Sequence, residues 1–117
     1  MDILQGLTSN SRQTFNFTVE QQKSVTMNLY YFDTQMSWYF DIIFGEFTVY
    51  GLKLVLAPNI LRAFKNIIPF GLQVFTTNES DVIDPLYSDD FSSERVQIGV
   101  LSREEVIQVE NIVYKAK

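Results

Sequence analysis

The feature that most constrains this chain is a run of strict alternation from Gln13 to Phe44. Phe15, Phe17 and Val19 alternate with Thr14, Asn16 and Thr18. Beyond polar Glu20-Gln21-Gln22-Lys23, the residues Val25, Met27, Leu29 and Tyr31 alternate with Thr26, Asn28 and Tyr30. Beyond Asp33-Thr34-Gln35, Trp38, Phe40, Ile42 and Phe44 alternate with Ser37, Tyr39 and Asp41. A period of two puts successive side chains on opposite faces of an extended chain, so each segment reads as a half-buried strand. Short polar links make the three an antiparallel meander.

The rest of the chain extends this plan. Gly45-Glu46 makes a tight turn, and Phe47 to Leu56 gives a fourth strand in which Gly51 marks a bulge or a close backbone approach. Pro58 and Asn59 stop it. Ile60, Leu61, Phe64 and Ile67 fall at helical spacing and predict a short amphipathic helix ended by Pro69. Phe70–Thr77 and Val96–Val100 supply a fifth and a sixth strand, separated by an acidic loop over residues 78–94. Ser102 and Glu105 fit a capping box, which predicts a short helix from Arg103. The β-branched residues that follow (Val106, Ile107, Val109, Ile112, Val113) suit a strand as well as a helix. The expected fold is all-β: an antiparallel β-sandwich or partly closed barrel of about six strands with one or two short helices. It forms a single β-rich domain over residues 13–117, preceded by a polar, aperiodic arm over 1–12 that lies on a partner or is loose in solvent.

Composition narrows the function. The chain of 117 residues has no Cys and no His. A thiolate nucleophile, a disulfide and an imidazole base are therefore excluded, and a Ser or Thr nucleophile would need Lys or a chain N-terminus as its base. This points away from an enzyme, and no cofactor is expected. A net charge of −5, with no basic residue between Lys23 and Lys53, argues against nucleic acid. No apolar run approaches the ~18–20 residues of a membrane span, and Met1-Asp2-Ile3-Leu4 lacks the basic start of a signal peptide. Folding inside the cell is expected.

Three constellations deserve weighing. The loop acids Glu79, Asp81, Asp84, Asp89, Asp90 and Glu94 have the oxygen chemistry of a Ca²⁺ or Mg²⁺ site, but their spacing lacks the EF-hand order, so the expectation is no metal. A solvated or partner-facing loop is the plainer reading, with Arg95 pairing to Asp90 or Glu94. Asp41 is the one acid flanked by apolar neighbours, yet alternation turns it away from Phe40 and Ile42, so it is a poor half of a glycosidase pair. The third constellation is aromatic: Tyr30, Tyr39 and Tyr50 fall on the face opposite Tyr31, Phe40 and Phe44, with few charges around them. Such a face resembles a contact surface, because Tyr supplies large area at low entropy cost.

The strand beginning Gln13-x-Phe15-x-Phe17, the pair Leu29-x-Tyr31 and the strand Trp38-Tyr39-Phe40-Asp41-Ile42 together resemble a family of short bacteriophage virion proteins encoded among tail and baseplate genes. Pro58-Asn59-Ile60-Leu61, Gly71-Leu72-Gln73-Val74 and Asp90-Phe91-Ser92-Ser93-x-Arg95-Val96-x-Ile98 continue the similarity, which runs from about Gln13 to Leu101. The resemblance implies a structural virion component of a tail or baseplate, packed with other tail or baseplate subunits in a symmetric ring around the tube or hub and assembled in the host cytoplasm. The acidic charge and the lack of a long apolar run, read above, leave no nucleic-acid or membrane partner in the expectation. The expected contact residues are Leu4 and Leu7 on the arm, with Tyr30, Tyr39, Phe47 and Tyr50 on the sheet. Truncating Leu4 or Tyr39 is expected to register in assembly rather than in the melting of the isolated domain. The alternative is a small carbohydrate- or ligand-binding β-module that uses Trp38 and the tyrosines as a stacking platform.

Overall fold

A computed structural model of the chain describes residues 1–114, apart from the side chain of Gln21. The expected meander is present. Strands β2 (Arg12–Val19), β3 (Lys23–Phe32), β4 (Ser37–Phe44) and β5 (Phe47–Lys53) follow the short β1 (Asp2–Ile3) and form an antiparallel sheet in the order β2-β3-β4-β5. A second antiparallel sheet has the order β1-β7-β6, with β6 at Gly71–Thr76 and β7 at Val96–Leu101. The two layers pack as an open β-sandwich. The barrel alternative falls away because the sheets do not close on each other.

The alternation in the sequence is the alternation in the packing. Val25, Met27 and Leu29 of β3 and Trp38, Phe40 and Ile42 of β4 are each no more than 1% exposed. They meet Leu72, Val74, Val96 and Ile98 from the opposite sheet, with Leu54, Leu61, Phe70 and Phe91 closing the ends. Fully burying one such side chain is worth roughly 1.5–3 kcal/mol, so this layer is the main source of stability in a chain without crosslinks.

Gly51 does what a glycine inside a strand signals. Between the pairs Phe40↔Leu52 and Ile42↔Val49, Asp41 alone opposes Tyr50 and Gly51, and Gly51 has φ of +73°. This is a β-bulge, and it bends β5 away from a regular ladder.

Two expectations are corrected. Residues 60–67 do not form an amphipathic α-helix: only a 3₁₀ turn, Arg62–Phe64, is present, and Ile67 is 67% exposed. The amides inside the segment bond three residues back rather than four (Arg62 N–H to the Asn59 carbonyl 3.3 Å, Phe64 to Leu61 2.9 Å, Lys65 to Arg62 3.2 Å), so the chain winds as a 3₁₀ turn, and Pro69 leaves no length for an α-helix to follow. The opening residues are not a loose arm either. β1 pairs with β7 (Asp2↔Val100, Ile3↔Gly99), the Leu4 N–H donates to the Ile98 carbonyl at 2.8 Å, and Leu4 and Leu7 pack against the core.

After β7 the chain turns into helix α1 (Arg103–Val109), whose capping box is complete: Ser102 Oγ accepts from the Glu105 N–H and Glu105 Oε1 from the Ser102 N–H. One π-helical turn, Glu110–Tyr114, extends it, which settles the helix-or-strand question for those residues. The end of the expected domain, residues 115–117, lies outside the described residues. No helix is long and apolar enough to cross a membrane among the described residues.

Candidate functional site

The outer face of the four-stranded sheet gathers the aromatic residues that alternation turned away from the core. Tyr30 of β3 and Tyr39 of β4 are cross-strand partners, stacked with centroids 6.2 Å apart and planes 20° from parallel. Phe32, two residues beyond Tyr30 on the same face, packs against both at 5.5 and 5.4 Å. Such clusters are worth about 0.5–1.5 kcal/mol per pair beyond burial alone. Phe32 was missed as a contact candidate, although its i, i+2 relation to Tyr30 carried the signal. Tyr50, at the bulge, is 68% exposed and lines a shallow hollow with Arg12, Thr14, Asn28, Tyr30 and Asp41.

Asp41 anchors this face. Its Oδ1 accepts from the Tyr30 hydroxyl (2.9 Å) and from the Gly51 N–H (2.9 Å), so one carboxylate oxygen fixes both the tyrosine and the bulge. Burial, reinforced by the Asp41 carboxylate, raises the Tyr30 phenol above its ordinary value and keeps it a neutral donor. Polar pairs extend outward, with Thr14 donating to Asn28 Oδ1 and Thr26 to Asn16 Oδ1, each at 2.8 Å. Alternation placed these polar residues outward, and the structure adds that they bond in pairs across β2 and β3 beside the aromatic cluster.

The remaining candidates sit elsewhere. Phe47 points inward, edge-on to Phe64 at 5.3 Å, and Leu4 and Leu7 rest on the core. All three are half-buried by their own chain, so they hold the fold in addition to any contact they make. Trp38 is fully buried, and its indole N–H donates to the Tyr87 carbonyl at 3.0 Å, so it is no stacking platform for a sugar.

The acidic loop is solvated at Glu79, Asp84, Asp89 and Glu94 but pinned to the body at Asp81 and Asp90. Arg95 grips Asp90 with two bonds (Nε to Oδ1 2.7 Å, Nη2 to Oδ2 2.9 Å), reaches Asp81 at 3.1 Å, and donates to the carbonyls of Ile83 and Asp84. Asp90 in turn accepts from the N–H groups of Leu86 and Tyr87. The Ile83 N–H first, and Arg95 next, hold the Asp81 carboxyl below its ordinary value, while the two carboxylates push the guanidinium well above its own. Among the described residues no group of three or more acidic, His or Cys side chains is placed to hold a metal ion.

The described residues thus form an open sandwich with an arginine-pinned loop and an aromatic outer face. Over residues 1–103 the chain matches the family described as cyanophage baseplate Pam3 plug gp18. It belongs to this family of phage baseplate proteins, and a structural role in the baseplate, within the virion and alongside other baseplate proteins, follows from that membership. No curated protein matches the chain.

Proposed function

We propose that this chain is a non-catalytic plug-type subunit that packs against other baseplate proteins, in a symmetric arrangement around the tail tube or hub, and that it is assembled in the host cytoplasm without a nucleic-acid or membrane partner. The family match across nearly the whole chain carries this reading. The outer face supports it: Tyr30, Phe32, Tyr39 and Tyr50 form an aromatic patch of the kind that supplies interface anchors. Asp41 holds that patch in shape before any partner arrives, so little ordering entropy is left to lose on docking. Leu4, Leu7 and Phe47 contribute by seating the segments that border the contact surfaces.

Mass spectrometry of purified particles and a density map of the assembled baseplate test the proposal. The chain should be present in fixed proportion to the other baseplate proteins, with Tyr39 and Tyr50 covered by a neighbour. Absence from purified particles, or a tyrosine face left wet in the assembly, would refute it.

A further inference from the structure

Four margins bound the two sheets, and they differ in what they offer an incoming strand. β1 is only two residues long. The outer side of β6 is taken up by Ala57, which exchanges bonds with Val74 (3.1 and 3.0 Å), and by the Ile60 N–H on Leu72. β5 is bent by the Gly51 bulge and ends in Lys53, two devices that discourage strand pairing. The fourth margin, β2, is an unbroken run of eight residues with no Pro, Gly, Lys or bulge.

The phase of the ladder shows what that margin offers. The Tyr31 N–H donates to the Ser11 carbonyl at 2.8 Å, so the odd-numbered residues from Ser11 to Val19 bond to β3. Arg12, Thr14, Asn16 and Thr18 therefore turn their N–H and C=O groups outward, and no described residue outside the ladder bonds to them. Burial is alike at the two edges of this sheet: Phe15, Phe17 and Val19 on β2 and Phe47, Val49 and Leu52 on β5 are half-buried, whereas Val25, Met27 and Leu29 on β3 are sealed. What sets β2 apart is its unbroken outward row of backbone groups.

Resting on the baseplate reading above, we infer that the β2 margin receives an extended segment of a different baseplate chain, which adds as a fifth strand. An alternating row of backbone donors and acceptors fits an extended peptide and little else. Apolar side chains at alternate positions of that segment cover Phe15 and Phe17. An acidic residue near its end meets Arg12, the single charge on β2, which lies over the Tyr30 ring at 5.7 Å and forms no ion pair among the described residues. A second copy paired antiparallel brings only Glu20, the residue after β2, and that carboxylate is already taken by Arg103 at 3.1 Å.

Hydrogen exchange read by mass spectrometry, comparing the free chain with purified baseplates, tests this directly. Amides of Arg12, Thr14, Asn16 and Thr18 should exchange readily in the free chain and slow on the order of 100-fold in the assembly. Thr14→Pro removes an outward donor and the exposed Thr14–Asn28 side-chain bond but no ladder bond, and Arg12→Glu reverses the charge. Each should fold with unchanged circular dichroism and lower incorporation about tenfold or more, while Arg12→Lys is incorporated normally. If Thr14→Pro fails to fold, Arg12→Glu decides alone. A chain present in baseplates with fast-exchanging β2 amides, or with Arg12→Glu incorporated normally, overturns this inference and leaves the plug reading intact. A chain absent from particles overturns both. Protection in the purified chain together with a doubled mass assigns the margin to a second copy and also overturns it.

Discussion

Asp90 and Arg95 illustrate how much one pair of residues organises here. Asp90 is 1% exposed and gathers two amides and a guanidinium, and its neighbourhood positions the carbonyls that receive the Tyr31 hydroxyl and the Trp38 indole. Asp90→Ala leaves Arg95 with Asp81 as its one carboxylate partner, orphans the Leu86 and Tyr87 amides and releases the loop, at a cost on the order of 3 kcal/mol. Thermal denaturation should show a midpoint lower by roughly ten degrees or more. Gly71 is the second sensitive point. A Cβ there would sit 2.7 Å from Asn59 Oδ1, an atom that already accepts from the buried Leu61 and Leu72 amides. Gly71→Ala should therefore destabilise the fold by about 1–3 kcal/mol, measured by denaturant titration, because the displaced amide abandons two buried donors. The Asp90–Arg95 pairing was legible in the sequence, since opposite charges five positions apart at the edge of a strand invite it. The role of Asn59 was not. Its partners lie two and thirteen residues away, and only the path of the chain between the sheets brings them together.

At the scale of elements, the strands were legible where one face is buried and the other is wet, as in Arg12 to Phe44. Local spacing failed at residues 60–67, where the short stretch before Pro69 winds with i−3 bonds despite its helical periodicity, and at residues 1–4, where two residues of pairing to β7 carry no pattern long enough to see. The C-terminal helix was announced by Ser102 and Glu105, but the contact that docks its end was hidden. Glu110 is gripped by Arg62 (2.7 Å) and Lys65 (2.6 Å), and Arg62 also lies 3.9 Å over the Tyr114 ring. Arg62 first, then Lys65, hold the Glu110 carboxyl below its ordinary value of 4.5. The folded chain therefore takes up this proton less readily than the unfolded one. The stabilisation is fully present above that ordinary value and is lost as pH falls through the lower folded value. Glu110→Gln should lower the melting midpoint at pH 7 and flatten its dependence on pH below 4.5, as read from melts across acid buffers.

For the molecule as a whole, folding and assembly draw on different residues, and single truncations separate them. Leu4 packs on the core and so belongs to the fold, against the expectation that its loss would be felt in assembly alone. Leu4→Ala should cost about 1–2 kcal/mol in the melt of the purified chain, the lower range for a half-buried leucine. Tyr50 belongs to the surface. Tyr50→Ala should leave stability within about 0.5 kcal/mol and weaken incorporation into baseplates by about 2 kcal/mol, close to thirtyfold, in a competition between wild-type and variant chains. Tyr39 lies between the two, stacked on Tyr30 and donating its hydroxyl to Gln35 at 2.6 Å, so its removal should register in both measurements.

The unequal flanks of the four-stranded sheet limit how this body can multiply. A unit that propagates a fibril must accept a strand on one flank and offer one on the other. Here only the β2 flank is straight, and the bulged, lysine-ended flank opposite it gives an incoming copy a poor ladder to extend. Joined through β2, the sandwich ends a stack instead of lengthening it.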